Sequence, residues 1–250
     1  MRSMRIDLNS DLGEGANNDA AIMPLITSAN VACGGHAGDE RTMRETIALA
    51  IRHGVGVGAH PGYPDRASFG RMPQHLDAPV LVAEIRRQLA RLDDAAATEG
   101  AAVTHVKPHG ALYNRAERDP DVAASIVKAI CSWQPRATVF ASPGSALERA
   151  ARDAGLRVAL EGFADRAYEP DGTLRSRHLA GAVLSDAAVA AAQAVSIVRD
   201  GGVRAIDGTF VALPVDTLCL HGDKPEAALI AAAVRSALEV AGISVRRFGS

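Results

Sequence analysis

Short apolar runs alternate along the chain with longer stretches in which Ala, Leu, Ile and Val recur at helical spacing. The short runs predict strands over 5–9, 28–32, 55–59, 103–107, 138–141, 157–160 and 217–220. The longer ones predict helices over 40–53, 79–99, 120–133, 145–154, 186–199 and 225–241. Punctuation supports these bounds. Asp39 and Asp186 stand where an N-cap carboxylate accepts the first free amides, and Ser145 follows Pro143-Gly144. Gly54, Gly100, Gly155 and Gly242 stand where helices end.

Strands separated by helices or loops imply parallel pairing with right-handed crossovers. The predicted strands are near-continuously apolar, as expected when both sheet faces are covered. No linker, repeat or low-complexity segment divides residues 1–250, so the chain reads as one α/β domain, of a length common among α/β barrels. A barrel and an open doubly wound sheet both satisfy this pattern. Hydrophobic residues make up 48% of the chain but aromatics only 4%, so the core must be Ala, Val, Leu and Ile.

The residues just beyond each strand carry the chemistry. The first strand leads into Asn9-Ser-Asp11-Leu-Gly13-Glu14-Gly15 and the second into Cys33-Gly-Gly-His36-Ala-Gly38-Asp39. The third ends in His60-Pro-Gly-Tyr63-Pro-Asp65-Arg66, and the fourth in Lys107-Pro-His109-Gly110-Ala-Leu-Tyr113-Asn114. The sixth ends in Glu161-Gly-Phe-Ala-Asp165-Arg166, and the seventh in His221-Gly222-Asp223-Lys224. The carboxyl ends of parallel strands form the functional face of α/β folds. Contributions from six strands favour a closed barrel, because an open sheet gathers its site chiefly at one switch point.

Each residue alone has a plain structural explanation. A polar residue that ends a strand is commonly a turn former or cap, and Asp39 reads as a cap. His53 lies near a helix C-terminus, where a cationic imidazole is favourable without any function. His75 and His178 lie in loops without further signal. Repetition across strands is what marks the rim as a site. Asp, Glu and His from several strand ends can hold a divalent metal that activates water. They can equally act as general acids and bases, with Lys107 and backbone amides stabilising an oxyanion. No HExxH or CxxC spacing marks a metal site, and none of Ser10, Ser142 or Cys33 sits in a GxSxG elbow. Cys131 and Cys219, inside a predicted helix and strand, read as structural. No Walker loop and no GxGxxG opening a first βα unit is present.

Charge adds exclusions. Lys and Arg number 27 against 29 Asp and Glu, with no basic run, which disfavours nucleic acid and anionic membrane as partners. Three widely spaced cysteines do not make a disulfide framework and fit a reducing compartment. The first residues turn polar too soon for a signal peptide, and no apolar run approaches the roughly 20 residues that span a bilayer. The expected location is the cytoplasm.

Six segments then occur in order: DLNSDLGEG, SANVACGGHAGD, VGAHPGYPDRASFGR, VKPHGALYN, EGFADRAY and LCLHGD. They resemble the motifs of the LamB/YcsF family, the A-subunit proteins of 5-oxoprolinase formerly called lactam utilization proteins, from Ile6 to Gly242. The resemblance implies a single-domain seven-stranded β/α barrel of the glycoside hydrolase/deacetylase type. It also implies ATP-dependent opening of 5-oxo-L-proline to L-glutamate, with ADP and phosphate released, performed together with subunits B and C. On this basis Asp11, Glu14, His36, His60, Lys107 and His109 are the expected catalytic residues. Asn9, Asn30, Arg66, Tyr113, Glu161, His221 and Asp223 are the expected substrate contacts, with Arg66 bidentate to the substrate carboxylate. A divalent metal, Mg or Zn, would fall to Asp11, Glu14, His36 and His60. The chain departs from the family at Gly35, where Phe is common, and residues 1–3 precede the usual start.

Chemistry gives ATP a purpose. A five-membered lactam is a resonance-stabilised amide and a poor electrophile, and phosphorylation of its carbonyl oxygen creates a leaving group. Two rivals share the same rim: a metal-dependent amidase or deacetylase-type hydrolase acting without ATP, and a non-catalytic subunit that binds substrate or scaffolds partners.

Overall fold

The computed structural model describes residues 4–222 and 226–249. In chain order its strands are β1 (Arg5–Leu12), β2 (Ser28–Ala32), β3 (Gly56–His60), β4 (Val103–Val106), β5 (Thr138–Ala141), β6 (Arg157–Phe163), β7 (Gly202–Arg204), β8 (Phe210–Ala212), β9 (Thr217–His221) and β10 (Ser244–Val245). The helices are α1 (Asp19–Ile22), α2 (Glu40–His53), α3 (Ala78–Thr98), α4 (Gly110–Ala116), α5 (Pro120–Trp133), α6 (Ala146–Asp153), α7 (Ala187–Arg199) and α8 (Ala227–Val240). A 3-10 turn over Met23–Leu25 follows α1.

Strands β1 to β6 pair in sequence order, and β9 closes the circle by pairing with both β6 and β1. All seven pairings are parallel, so the sheet is a seven-stranded barrel. Of the two architectures compatible with the sequence, the closed one is formed. The register aligns the strands' carboxyl ends: Asp11 lies opposite both Asn30 and His221, and Ala32 lies opposite His60. Short β10 extends the sheet beside the start of β1, while β7 and β8 form an antiparallel hairpin between α7 and β9.

The helices cover the outside. Val31, Val57, Val106 and Val139 pack with α2, α3, α5 and α6 residues such as Ile47, Leu89, Ile126 and Leu147. Ile6, Leu8, Leu218 and Leu220 pack with Ile197 of α7 and Ile230 and Val234 of α8. The caps form as their sequences predict. Asp39 accepts from Thr42 N at 2.8 Å while Thr42 Oγ1 accepts from Asp39 N at 2.8 Å, a reciprocal box. Asp186 accepts from Ala188 N at 2.8 Å, and Ser145 from Glu148 N at 3.0 Å.

Strand β1 departs from the expected pattern. It runs to Leu12 rather than residue 9, and it alternates instead of being continuously apolar. Ile6 and Leu8 face the helices, whereas Asp7, Asn9 and Asp11 point into the barrel and are nearly as buried as their apolar neighbours. The barrel interior near the carboxyl ends is therefore polar. α1, α4, the β7–β8 hairpin and β10 have no counterpart among the predicted elements, because runs of two to seven residues are too short to display a period. The helix predicted over 225–241 is α8, and Pro225 lies outside the described residues.

Candidate active site

The polar interior is built in tiers rising along the barrel axis. At the lowest tier Asp7 Oδ1 accepts from Thr27 Oγ1 and Ser28 Oγ, both at 2.7 Å, and Asp7 Oδ2 accepts from Thr217. Burial pushes the Asp7 carboxyl above its usual range, against these hydrogen bonds.

Above it, Asn30 Nδ2 donates to Asn9 Oδ1 and to Asp11 Oδ1, both at 2.8 Å, and Asn30 Oδ1 receives His105 Nε2 at 3.0 Å. Asn9 Nδ2 donates across the barrel to Glu161 Oε1 at 3.0 Å and to Thr217 Oγ1 at 2.8 Å. His105 fits because Gly58 faces it: a Cβ there would lie 2.0 Å from His105 Nε2. Burial, then repulsion from Lys107, lowers the His105 pKa to about 3, so this ring is neutral.

Lys107 occupies the next tier. Its Nζ lies 3.0 Å from Asp11 Oδ1, 3.0 Å from Glu161 Oε1 and 2.9 Å from Cys219 Sγ. Burial alone would discharge the ammonium, but Asp11 and the other anionic partners hold its pKa well above the usual lysine value. Reciprocally, His60 and Lys107 outweigh burial and hold Asp11 well below the carboxylate range. Asp11, Cys219 and His221 could together hold a cation, yet the Lys107 ammonium already bonds two of the three.

The uppermost tier contains three histidines and Glu14, whose candidate ligand atoms all lie within 4.8 Å of one another. Glu14 Oε1 is 2.9 Å from His36 Nε2, 3.2 Å from His109 Nδ1 and 3.7 Å from His60 Nε2. Despite burial, the hydrogen bonds from His109 and His36 hold Glu14 far below its usual pKa. His60 Nδ1 donates to the Lys107 carbonyl at 2.8 Å, and His109 Nε2 donates to the Phe69 carbonyl at 2.9 Å. These assignments follow from the network, since a carbonyl can only accept. The two remaining nitrogens, His60 Nε2 and His109 Nδ1, face each other at 2.9 Å. With no proton on either nitrogen the two lone pairs would repel at that separation, so a proton on one of them or a cation fills the gap. Imidazoles that bind metals characteristically donate their other N–H to a carbonyl or carboxylate. The residues therefore fit a divalent cation, held by Glu14, His36, His60 and His109. This set differs from the expected one in containing His109 in place of Asp11, which is turned to Lys107.

Glycines shape this tier. The His36 and His109 rings stack at 3.6 Å with 3° between planes, and a Cβ on Gly62 or Gly70 would come within 2.7 Å of His36. Gln88 buttresses the same loop, accepting from Gly62 N at 3.0 Å and donating to Gly62 O at 2.7 Å. At Gly35 a Cβ would meet the Gln88 amide at 2.5 Å, so a Phe there is incompatible with this placement of Gln88.

A cavity of about 500 Å³ opens over the upper tiers. Of the expected residues, Asp11, Glu14, His60, Lys107, His109, Tyr113 and His221 line it. His36 lies behind His109, and Asn9, Asn30 and Glu161 lie beneath the floor, bonded to Lys107 or Asp11 rather than open to a ligand. Arg66 stands apart: it is exposed, donates to the Gly38 carbonyl and is not among the lining residues. Asp223 lies outside the described residues.

Asp165, Ser142, Glu117 and Cys219 are not among the expected residues, yet they bond to residues that are or to one another. His221 Nδ1 is 2.9 Å from both oxygens of Asp165, and the His221 amide donates to the same carboxylate. Burial is outweighed there by His221, which holds Asp165 low. Tyr113 reaches Ser142, which donates to Glu117 at 2.6 Å. Cys219, structural by its place in an apolar strand, touches the Lys107 ammonium instead. Alternation in Thr217-Leu-Cys219-Leu-His221 is the signal for it, because it places all three polar side chains on one face. Arg71, Arg118, Arg166, Arg175 and Arg177 also line the cavity, and nothing in the spacing of the last two announces them.

Comparison with known proteins agrees with this architecture. The chain is 48% identical over 246 residues to the 5-oxoprolinase A-subunit of Symbiobacterium thermophilum, covering 96% of this chain and 94% of the relative. It is 47% identical over 251 residues to the protein of the same name from Pyrococcus furiosus, covering 98% of each. Among solved structures, the lactam utilization protein of Thermus thermophilus superposes with a TM-score of 0.92 at 44% identity, over 98% of this chain and 100% of that one. A T48 deacetylase shares the fold, at a TM-score of 0.53 and 12% identity over 97% of this chain and 87% of that one. The sequence pattern of the LamB/YcsF family matches residues 6–250, and the chain belongs to that family.

Proposed function

We propose that this protein is the ring-opening component of an ATP-dependent 5-oxoprolinase, working in the cytoplasm with two further subunits, B and C. The relatives' names support the lactam substrate, and the word subunit in two of them supports partners. The observation that carries the reading is the ligand-sized cavity at the barrel mouth, which Lys107, a histidine–carboxylate cluster and the Asp165-held His221 all meet.

The reaction balances with two waters. The lactam oxygen takes the γ-phosphoryl group of ATP, and ADP leaves. Water adds at the carbon, and the C–N bond breaks as nitrogen takes a proton. A second water then hydrolyses the resulting acyl phosphate to L-glutamate and phosphate. A divalent cation on Glu14, His36, His60 and His109 would act as a Lewis acid that lowers the pKa of water. Asp11 Oδ2, the oxygen not turned to Lys107, accepts a hydrogen of the attacking water. Lys107 stabilises negative charge through its field, because its N–H bonds already point at Asp11, Glu161 and Cys219. Asn9, Asn30 and Glu161 position Lys107 and Asp11. His221, oriented by Asp165, delivers the proton to the leaving nitrogen, and Tyr113 packs against the ring.

A second reading, a metal-dependent amidase or deacetylase-type hydrolase without ATP, is favoured by the clustering of Glu14, His36, His60 and His109, whose candidate ligand atoms all lie within 4.8 Å of one another. One experiment separates the two. The chain is supplied with 5-oxo-L-proline and ATP, with and without the partner subunits. L-Glutamate and ADP produced only by the complete set support the first reading, whereas ATP-independent turnover by the chain alone replaces it with the second. Within the complete set, His221→Ala should lower the rate by roughly 10²–10⁴-fold if His221 is the acid.

A further inference from the structure

Phe69 has an unusual backbone beside the uppermost tier. Among the described residues only Asn17 and Phe69 are non-glycine residues with a positive φ, and Phe69 stands at 55°. Asparagine tolerates this left-handed conformation, whereas sterics oppose it in a bulky aromatic residue. Such outliers persist only where their surroundings over-determine them, and they gather at functional sites. Here the surroundings are the histidines. Gly70, at a φ of 62°, continues the reversal, and its amide donates to Asp65 O at 2.7 Å to close the turn. The reversal brings two successive carbonyls inward: Phe69 O accepts from His109 Nε2 at 2.9 Å, and Gly70 O accepts from Ala111 N at 3.0 Å. The Phe69 ring stands edge-on to both members of the histidine stack, 5.4 Å from His36 and 5.4 Å from His109. The Arg71 guanidinium lies 4.9 Å from the centroid of the same ring.

We propose that Phe69 is a positioning residue whose left-handed backbone decides which nitrogen of His109 faces the cluster. A neutral imidazole donates from one nitrogen only, and a carbonyl can only accept. With Phe69 O at Nε2 the proton is held there, and Nδ1 is the atom presented to Glu14 at 3.2 Å and to His60 at 2.9 Å. Returning Phe69 to a negative φ would swing its carbonyl off the ring and leave the imidazole free to turn. What position 69 supplies is therefore a backbone conformation more than apolar bulk. Ser68, Arg71 and Met72 of the same loop line the cavity, so the cavity wall and the histidine tether are one segment. The inference concerns the histidine tier whichever reaction it serves, and loss of the lactam reading leaves it standing.

The test uses two variants of the full chain chosen to oppose a packing role. Phe69→Asn discards the ring but keeps a residue at ease with positive φ. Phe69→Ile keeps apolar bulk but is β-branched, the type least compatible with that conformation. Nitrogen-15 NMR, with and without zinc, reads which ring nitrogen of His109 is protonated, the signal being assigned by its loss in His109→Gln. Zinc titration reads affinity, and thermal melting checks folding. The expected result is a protonated Nε2 in the unmodified protein and in Phe69→Asn, with zinc affinity close to the parent's. In Phe69→Ile the Nε2–H signal is lost and zinc affinity falls at least about tenfold. An unprotonated Nε2 in the unmodified protein overturns the inference whether or not either variant folds. An unchanged ring and affinity in Phe69→Ile overturns it too. Equal losses in both variants would also overturn it, by assigning the effect to packing of the aromatic ring.

Discussion

His60 Nε2 and His109 Nδ1 face each other across 2.9 Å, each ring tethered by its other nitrogen to a backbone carbonyl. Neither ring can turn to relieve the contact without abandoning a buried hydrogen bond, so what fills the gap decides the state of the whole upper tier. Protein prepared with zinc or magnesium should retain close to one ion per chain by elemental analysis. His60→Ala and His109→Ala should each weaken retention by at least about tenfold. Full-strength retention in both variants would place the ion elsewhere.

Lys107 neutralises two carboxylates that have little access to water. Its replacement by Met leaves Asp11 and Glu161 buried without their cation, a change that typically costs about 3–5 kcal/mol. Urea unfolding should show this loss in Lys107→Met, and adding Glu161→Gln should restore part of it. Equal stability of the single variant and the parent would mean that the ammonium contributes nothing to the fold.

Gly58 and His105 constitute a steric pair. Gly58→Ala inserts a methyl group 2.0 Å from the imidazole, and the rigid barrel wall leaves the ring little room to retreat. The expected destabilisation is about 1–3 kcal/mol, with a smaller penalty in the His105→Ala background. Additive effects in that double-mutant cycle would show that the two positions do not meet.

His105 also sets an acid limb of stability. Its folded pKa of about 3 lies below the ordinary value of 6.5, so the unfolded chain binds the extra proton between these values. The contribution is fully present above pH 6.5 and is lost as pH falls toward 3, by up to about 1.4 kcal/mol per pH unit. His36, lowered to about 4 chiefly by burial, adds in the same direction. His60 is raised instead, so its contribution is complete below pH 6.5 and fades as pH rises through its folded value. Between about pH 6.5 and 4.5, His105→Asn should therefore flatten the dependence of the urea midpoint without abolishing it. An unaltered slope would show that His105 is not the buried neutral ring described.

Much of this was legible because strand ends and turns leave strong local marks. Six polar segments at strand ends pointed to one face, and that face proves to be the mouth of a closed barrel, with seven of the thirteen expected residues lining one cavity. Burial depth was not legible. Asn9, Asn30 and Glu161 look like ligand contacts in the sequence, yet cross-barrel bonds consume them beneath the floor. Arg66 follows the right motif but points outward to Gly38, because the turn after Pro64 carries it past the rim. Arg166 and Arg177 reach the cavity only through the way the chain doubles back after β6, which no periodicity encodes.

That doubling back has an evolutionary consequence. Residues 164–186 leave the barrel after β6, contribute Arg166, Arg175 and Arg177 to the cavity, and return at α7, while the histidines and carboxylates hang from strand ends locked together by the buried tiers. Reactivity is thus distributed over a framework that tolerates little change, and three of the cavity's five arginines are concentrated in one surface segment that can vary. Relatives could acquire new ligand preferences by revising that segment alone, inheriting the chemical apparatus unaltered.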